Sequence, residues 1–138
     1  MELNVLVVLM AAVVGFAIGA FWFGPRTFYP IWWKLMGKSP DVEPGSSNMF
    51  AVFGLSALAS LVQAAVLWLL LTSIDQASGP MGWFGGLAVG SLVGVGFAAA
   101  TSISHRLFAG AGLRVWMLEV GQDIVSLAAM GAIIGVFI

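Results

Sequence analysis

The chain has no cysteine and very little charge: only 8% of its 138 residues are Asp, Glu, Lys or Arg. The missing cysteine excludes a disulfide framework, a thiolate metal site and a cysteine nucleophile. Soluble domains carry about 25% charged residues, so a chain this poor in charge cannot cover a water-facing surface. The formal net charge of −1 gives no basic character for binding nucleic acid. These absences predict that lipid is the main solvent of the protein.

Long apolar runs are what the sequence has in abundance, since 61% of its residues are hydrophobic. A helix needs about 20 apolar residues to cross a bilayer. Glu2 stands alone before the first run, where a signal peptide carries basic residues, so we interpret this run as a retained membrane helix. The sequence predicts one all-α integral membrane domain over residues 1–138, a polytopic four-helix bundle with a short interfacial helix between spans one and two. The predicted spans are residues 3–23, 48–72, 81–104 and 115–138.

Turn and capping residues separate the spans. Gly24 and Pro25 end the first span, because proline lacks an amide donor and restricts the residue before it. The other candidate boundary residues are Ser46, Ser47 and Asn48 before span two, Ser78, Gly79 and Pro80 before span three, and Gly110 and Gly112 before span four.

The basic side chains predict the orientation of the protein. All five lie in the two loops that follow spans one and three: Arg26, Lys34, Lys38, Arg106 and Arg114. Because basic loops stay in the cytoplasm, we expect a multi-pass protein of the bacterial cytoplasmic (inner) membrane with both termini outside.

The loop between spans one and two is rich in aromatic residues. A short helix lying in the headgroup layer fits this composition. An aromatic belt that fixes the depth of the protein is the favoured interpretation, and a lid over a cavity or a lipid-headgroup site remain alternatives. The predicted interfacial anchors are Trp22, Trp32, Trp33 and Lys34.

Small residues recur at every fourth position of span three. Such a stripe allows the backbone of another helix to approach closely. It can serve packing within one chain, or contact between copies. The stripe consists of Gly82, Gly86, Gly90 and Gly94, continuing to Ala98 and Ser102; shorter stripes are Ala11, Gly15 and Gly19, then Ser56, Ser60 and Ala64, then Gly131 and Gly135.

Two segments resemble a known family. Residues 19–37 match it at Gly19, Trp22, Pro25, Phe28, Trp32 and Gly37, and residues 104–135 match it at His105, Phe108, Gly110, Gly121, Met130 and Gly131. These patterns resemble a bacterial family of small four-span membrane proteins known as domain of unknown function 1761. The resemblance implies a fold and a topology, and it carries no agreed function.

Span four contains polar residues on one helical face. Glu119, Gln122, Asp123 and Ser126 are spaced i, i+3, i+4 and i+7. Asp123 falls near the bilayer midplane, where a carboxylate costs about 2.5–3.5 kcal/mol, so the face must turn away from lipid.

Other polar residues lie at related depths. Thr101, Ser102, Ser104 and His105 end span three, and Gln63 is deeper in span two. We therefore expect a polar vestibule between spans three and four, with Arg106 and Arg114 at its mouth. The candidate ligand or proton site is Glu119, Gln122, Asp123, Gln63 and His105.

Three interpretations of the acids compete. They can be hydrogen-bonding groups that hold helices together, a proton-carrying or cation-binding site, or a catalytic acid–base pair. No second catalytic constellation is present, so we expect no enzyme, and a lone histidine is poor evidence for a metal. No cofactor is expected, and Asp75 is expected to be solvated in an outer loop.

The favoured function is a structural or accessory bundle that self-associates or binds another membrane protein, with membrane lipids as its surroundings and no nucleic acid as partner. The alternative is a proton-linked carrier or small-ligand-binding membrane protein that uses Glu119 and Asp123.

Overall fold

The computed structural model describes residues 2–43, 45 and 48–138, and all the regular secondary structure in these parts is helical. The predicted capping residues Ser46 and Ser47 lie outside the described residues. The helices are α1 (Val5–Trp22), α2 (Tyr29–Leu35), α3 (Met49–Ser78), α4 (Gly82–Val93), the π segment (Gly94–Ala99), α5 (Ala100–Phe108) and α6 (Leu113–Phe137). The elements α4, the π segment and α5 follow one another without a break and form the third span.

Four of these helical stretches are long and apolar enough to cross a membrane. The predicted all-α bundle of four spans, with a short helix between spans one and two, is therefore confirmed. The chain is a multi-pass membrane protein. The membrane-crossing stretches are Val5–Trp22, Met49–Ser78, Gly82–Phe108 and Leu113–Phe137.

The second and third spans extend beyond the predicted boundaries. α3 continues to Ser78 and ends at Gly79, whose φ of 91° suits glycine. Asp75 thus lies in the last turn of a helix rather than in a solvated loop. Its Oδ1 atom accepts a hydrogen bond of 3.0 Å from the backbone N–H of Met81, which fixes the turn into the third span.

Asparagine side chains begin two of the spans. The Oδ1 atom of Asn48 accepts a hydrogen bond from the Ala51 N–H at 3.1 Å, and Asn4 does the same for the Val7 N–H at 3.3 Å. Both bonds satisfy amides that have no partner inside the helix. The Asn48 cap was expected from the sequence and the Asn4 cap was not.

The centre of the bundle lies where α1, α3 and α6 meet. Ala11, Ala64, Leu71, Met130 and Ile134 are completely inaccessible there. Small residues from α1 and α3 leave room for the longer side chains of α6. Met130 fills the space beside Gly15, where even a methyl group would overlap its Cε atom.

The glycine stripe of the third span lies against α6 of the same chain. A methyl group added at Gly86 would overlap the carbonyl oxygen of Gly131 and reach within 3.1 Å of the Gly135 Cα atom. Gly90 meets the backbone of Leu127 in the same way. Packing within one chain therefore accounts for this part of the stripe, and self-association stays a prediction.

The π segment shifts the register of the third span. Gly94 is buried against Ile124, and the next fully buried position is Ala99, five residues later, rather than Ala98. A π turn contains one residue more than an α turn, which explains the step. The indole N–H of Trp116 reaches this part of the helix and donates to the Ala99 carbonyl at 3.2 Å.

Candidate functional site

A groove of about 670 Å³ lies between α1, α3 and α6, with the start of α2 at one end. Several lining residues of α3 are exposed, so the groove opens at the surface of the bundle. Its walls are mainly apolar and aromatic. The lining residues are Gly15, Phe16, Gly19, Ala20, Phe23, Gly24, Pro25, Tyr29, Trp32, Val52, Phe53, Ser56, Ala59, Ser60, Gln63, Gln122, Asp123 and Ser126.

Several polar groups of the groove have partners within the bundle. Ser60 donates to the Ala12 carbonyl at 2.7 Å, which joins α3 to α1. The Gln122 amide donates to the Ser126 hydroxyl at 2.8 Å, and Ser126 donates to the Gly15 carbonyl at 3.4 Å. The bonds from Ser60 and Ser126 are the interhelical hydrogen bonds that polar residues commonly make in membranes, and the bond from Gln122 lies within α6.

Asp123 differs from these neighbours. Its side chain is half-buried in the groove wall, and it makes no hydrogen bond or ion pair with any residue that the structure describes. It lies about 15 Å along α6 from the first residue of that helix. A carboxylate at such a depth requires a compensating partner. Gln63 lines the same groove and is exposed. Its side-chain amide likewise makes no hydrogen bond with any residue that the structure describes.

Glu119, one turn earlier on α6, is fully engaged. Both of its oxygens accept from the guanidinium of Arg106, with Nε at 2.6 Å from Oε2, and Trp32 donates its indole N–H to Oε1 at 3.1 Å. Bidentate arginine–carboxylate pairs are among the stronger polar contacts in proteins. The two acids that were predicted to act together therefore have different roles. Glu119 ties α2 and α5 to α6, whereas the carboxylate of Asp123 lines the groove.

The predicted aromatic anchors hold the interfacial region in place. Trp22 donates to the Leu118 carbonyl at 2.9 Å and thus fixes the end of α1 against α6. Trp33 is buried, donates to the Ser39 carbonyl at 2.9 Å and has the Lys38 ammonium 4.5 Å from its ring centroid. Lys34 is exposed. Trp32 combines its bond to Glu119 with a ring that lines the groove, a role that the sequence did not reveal.

The groove does not lie between spans three and four, where the sequence predicted a polar vestibule. The glycine stripe brings the backbones of these two helices into contact along Gly86 and Gly90, and nearer the other end of the third span Trp116 donates its indole N–H to the Ala99 carbonyl and the Ser102 hydroxyl. The groove lies on the opposite side of α6, against spans one and two. His105 is exposed and does not line it. Within the described residues, no three His, Cys, Asp or Glu side chains are grouped closely enough to hold a metal ion.

A known protein family matches the chain over nearly its whole length. A sequence profile described as "Protein of unknown function (DUF1761)" matches residues 6–135. No curated protein and no solved structure matches the chain. Because the profile covers nearly all of the sequence, the chain belongs to the DUF1761 family.

Proposed function

We propose that this protein is a non-enzymatic membrane protein that binds a small, largely apolar molecule in the groove between α1, α3 and α6. The observation that carries the proposal is the position of Asp123, whose carboxylate lines the groove without a partner among the described residues. A charged group in a membrane helix marks a ligand or ion site by default.

The size and composition of the groove support binding of a small molecule. Ligand sites commonly have volumes of about 300–1,000 Å³, apolar walls and a few convergent polar groups. The groove, at about 670 Å³, falls within this range, and Gln63 and Asp123 supply its unpaired polar groups. Its opening at the bundle surface gives a ligand access from the bilayer.

This function was the alternative from the sequence, and the geometry favours it over an accessory bundle. Much of the glycine stripes that suggested contacts between copies is occupied by packing inside the chain, at Gly86, Gly90, Gly94, Gly131 and Gly135. Binding to a second copy or to another membrane protein stays a prediction, as does proton-linked transport.

Filling the groove tests the proposal. Ala59 lines it from α3, so Ala59→Trp should occupy part of its volume, whereas Ala57→Trp places the same side chain on an exposed face outside the lining residues. Three phenyl-bearing probes of similar size cover the possible charges: tetraphenylphosphonium, triphenylphosphine oxide and tetraphenylborate. Equilibrium dialysis against lipid nanodiscs, with and without protein, measures the binding that depends on the protein.

At least one probe should bind saturably to the wild type and to Ala57→Trp, and at least tenfold more weakly to Ala59→Trp. The proposal is overturned when none of the probes binds saturably, or when the two tryptophan variants bind alike.

We also propose that both termini lie outside the cytoplasm, in a bacterial cytoplasmic membrane. The basic residues support this orientation: all five belong to the α1–α3 connection or to the α5–α6 region, at the end of the bundle where α2 lies. The turn at the other end, from Gly79 to Met81, contains none.

The missing cysteine makes this orientation easy to test. Ser39→Cys and Ser78→Cys each introduce the sole thiol of the chain, at exposed positions on opposite ends of the bundle. In spheroplasts, a membrane-impermeant maleimide should label Ser78→Cys, and it should label Ser39→Cys only after the membrane is permeabilised. The reverse pattern would contradict the proposed topology.

A further inference from the structure

The charge of the groove indicates what kind of molecule it binds. Asp123 is the only formally charged side chain among the described lining residues. When Asp123 is ionised, the site has an uncompensated negative charge in a region of low dielectric constant, where a charge–charge attraction is much stronger than in water.

The closest candidate for an internal counter-ion is not available to Asp123. Arg106 reaches α6 one helical turn away, but its guanidinium is held in a bidentate pair by Glu119. None of the other basic residues, Arg26, Lys34, Lys38 and Arg114, is among the described residues that line the groove. Glu119 thus keeps the arginine out of the groove, and no basic side chain of the described residues is left there to pair with Asp123.

The groove that Asp123 lines is also lined by five aromatic rings. Phe23 packs edge-on against Trp32 with ring centroids 5.3 Å apart, and Tyr29 lies 5.9 Å from the same indole. On the other wall, the rings of Phe16 and Phe53 are 6.5 Å apart. All five rings line the groove. The faces of aromatic rings attract cations, and such cages suit quaternary ammonium groups.

The donor set does not suit a metal ion. Calcium binds 6–8 oxygen ligands, and magnesium requires a nearly ideal octahedron of oxygens. The groove offers one carboxylate, the amides of Gln63 and Gln122, the Tyr29 hydroxyl, and serine hydroxyls that already donate to backbone carbonyls, such as that of Ser60. A weakly hydrated organic cation needs only one counter-ion and an apolar or aromatic surround.

We propose that the ligand of the groove is a compact lipophilic organic cation, a quaternary or protonated amine, that pairs with Asp123 and packs against Phe16, Phe23, Tyr29, Trp32 and Phe53. This inference rests on the proposed binding function and adds the chemical class of the ligand. The Glu119–Arg106 pair has a positioning role in it, because it leaves the charge of Asp123 free.

The same three probes in nanodiscs test the charge preference. Wild-type protein should bind tetraphenylphosphonium at least tenfold more tightly than triphenylphosphine oxide, and tetraphenylborate most weakly. Asp123→Asn keeps the size of the side chain and removes its charge, so it should lower binding of the cation at least tenfold and leave binding of the neutral probe unchanged. Asp75→Asn is the matched control, because it makes the same chemical change outside the groove.

The outcomes separate this inference from the proposed function. If the neutral probe binds as tightly as the cation, or if Asp123→Asn keeps the preference for the cation, the ligand class is wrong while groove binding stands. If none of the probes binds saturably, both proposals fail. Unchanged binding of the neutral probe to Asp123→Asn also demonstrates that the variant is folded.

Discussion

Gly90→Ala is expected to lower the free energy of unfolding by about 3 kcal/mol or more, the upper end of the usual cost of overpacking. The added methyl group would overlap the carbonyl oxygen of Leu127 and lie 2.8 Å from its carbonyl carbon and 3.1 Å from the Ala128 Cα atom. These are backbone atoms of a neighbouring helix, so no rotamer change can relieve the overlap. The two helices must move apart, which removes dispersion contacts along their whole interface.

Gly96→Ala provides a control in the same span. A methyl group at Gly96 meets nothing within 4 Å, and the residue does not have a positive φ. Its effect should stay within about 0.5 kcal/mol, as is usual for surface substitutions. Unfolding in mixed micelles with increasing sodium dodecyl sulfate, followed by circular dichroism, measures both variants. Equal stability of the two would show that contact between the third span and α6 does not hold the bundle together.

Arg106→Gln is expected to cost about 2 kcal/mol, less than the about 3–5 kcal/mol for breaking a fully buried pair. The expected loss of stability is smaller because the pair is only partly buried: the side chain of Arg106 is 32% exposed and that of Glu119 is 20% exposed. The variant leaves the Glu119 carboxylate without its cation in a membrane helix, and the indole N–H of Trp32 remains as its partner.

A double-mutant cycle isolates the interaction. Glu119→Gln together with Arg106→Gln removes both charges, so the double variant should be more stable than the sum of the single effects by about 1–2 kcal/mol. Arg114 is exposed and, within the described chain, makes no polar contact, so Arg114→Gln should change the stability by less than about 0.5 kcal/mol. The same titration with dodecyl sulfate measures all four variants. Strict additivity of the two substitutions would contradict a specific pair.

The spans could be predicted from the sequence because they depend on one local property, the length of each apolar run. The interfacial helix could be predicted for a similar reason, since aromatic residues and lysines stand together in the loop before Gly37. The resemblance to the DUF1761 family is confirmed by a match over residues 6–135. None of these conclusions requires knowledge of which helix faces which.

The groove could not be predicted, because its position depends on helix pairing. Glu119 and Asp123 share one face of α6, and the sequence gives no reason to separate them. In the fold, Glu119 lies at the level of α2 and α5, while Asp123 lies one turn deeper, beside α1 and α3. The glycine stripe carried part of the missing information: it brings the third span against one side of α6 at Gly86 and Gly90, and the groove lies on the other side of α6.

The extra residue of the π segment decides which side chain reaches Glu119. An inserted residue rotates every later residue by about 100° about the helix axis, relative to an uninterrupted α-helix. Each later residue therefore faces the direction that the residue before it would otherwise have faced. With an unbroken α-helical period of 3.6 residues from Gly94, the position facing α6 three turns later, near the end of the span, would fall to His105. Because of the wider turn, Arg106 takes that position instead. Its guanidinium is permanently cationic, and its planar fork is the geometry that a carboxylate pairs with best. The extra residue of the π segment thus places the permanently charged guanidinium of Arg106, rather than the imidazole of His105, opposite Glu119. His105 is exposed and faces another direction.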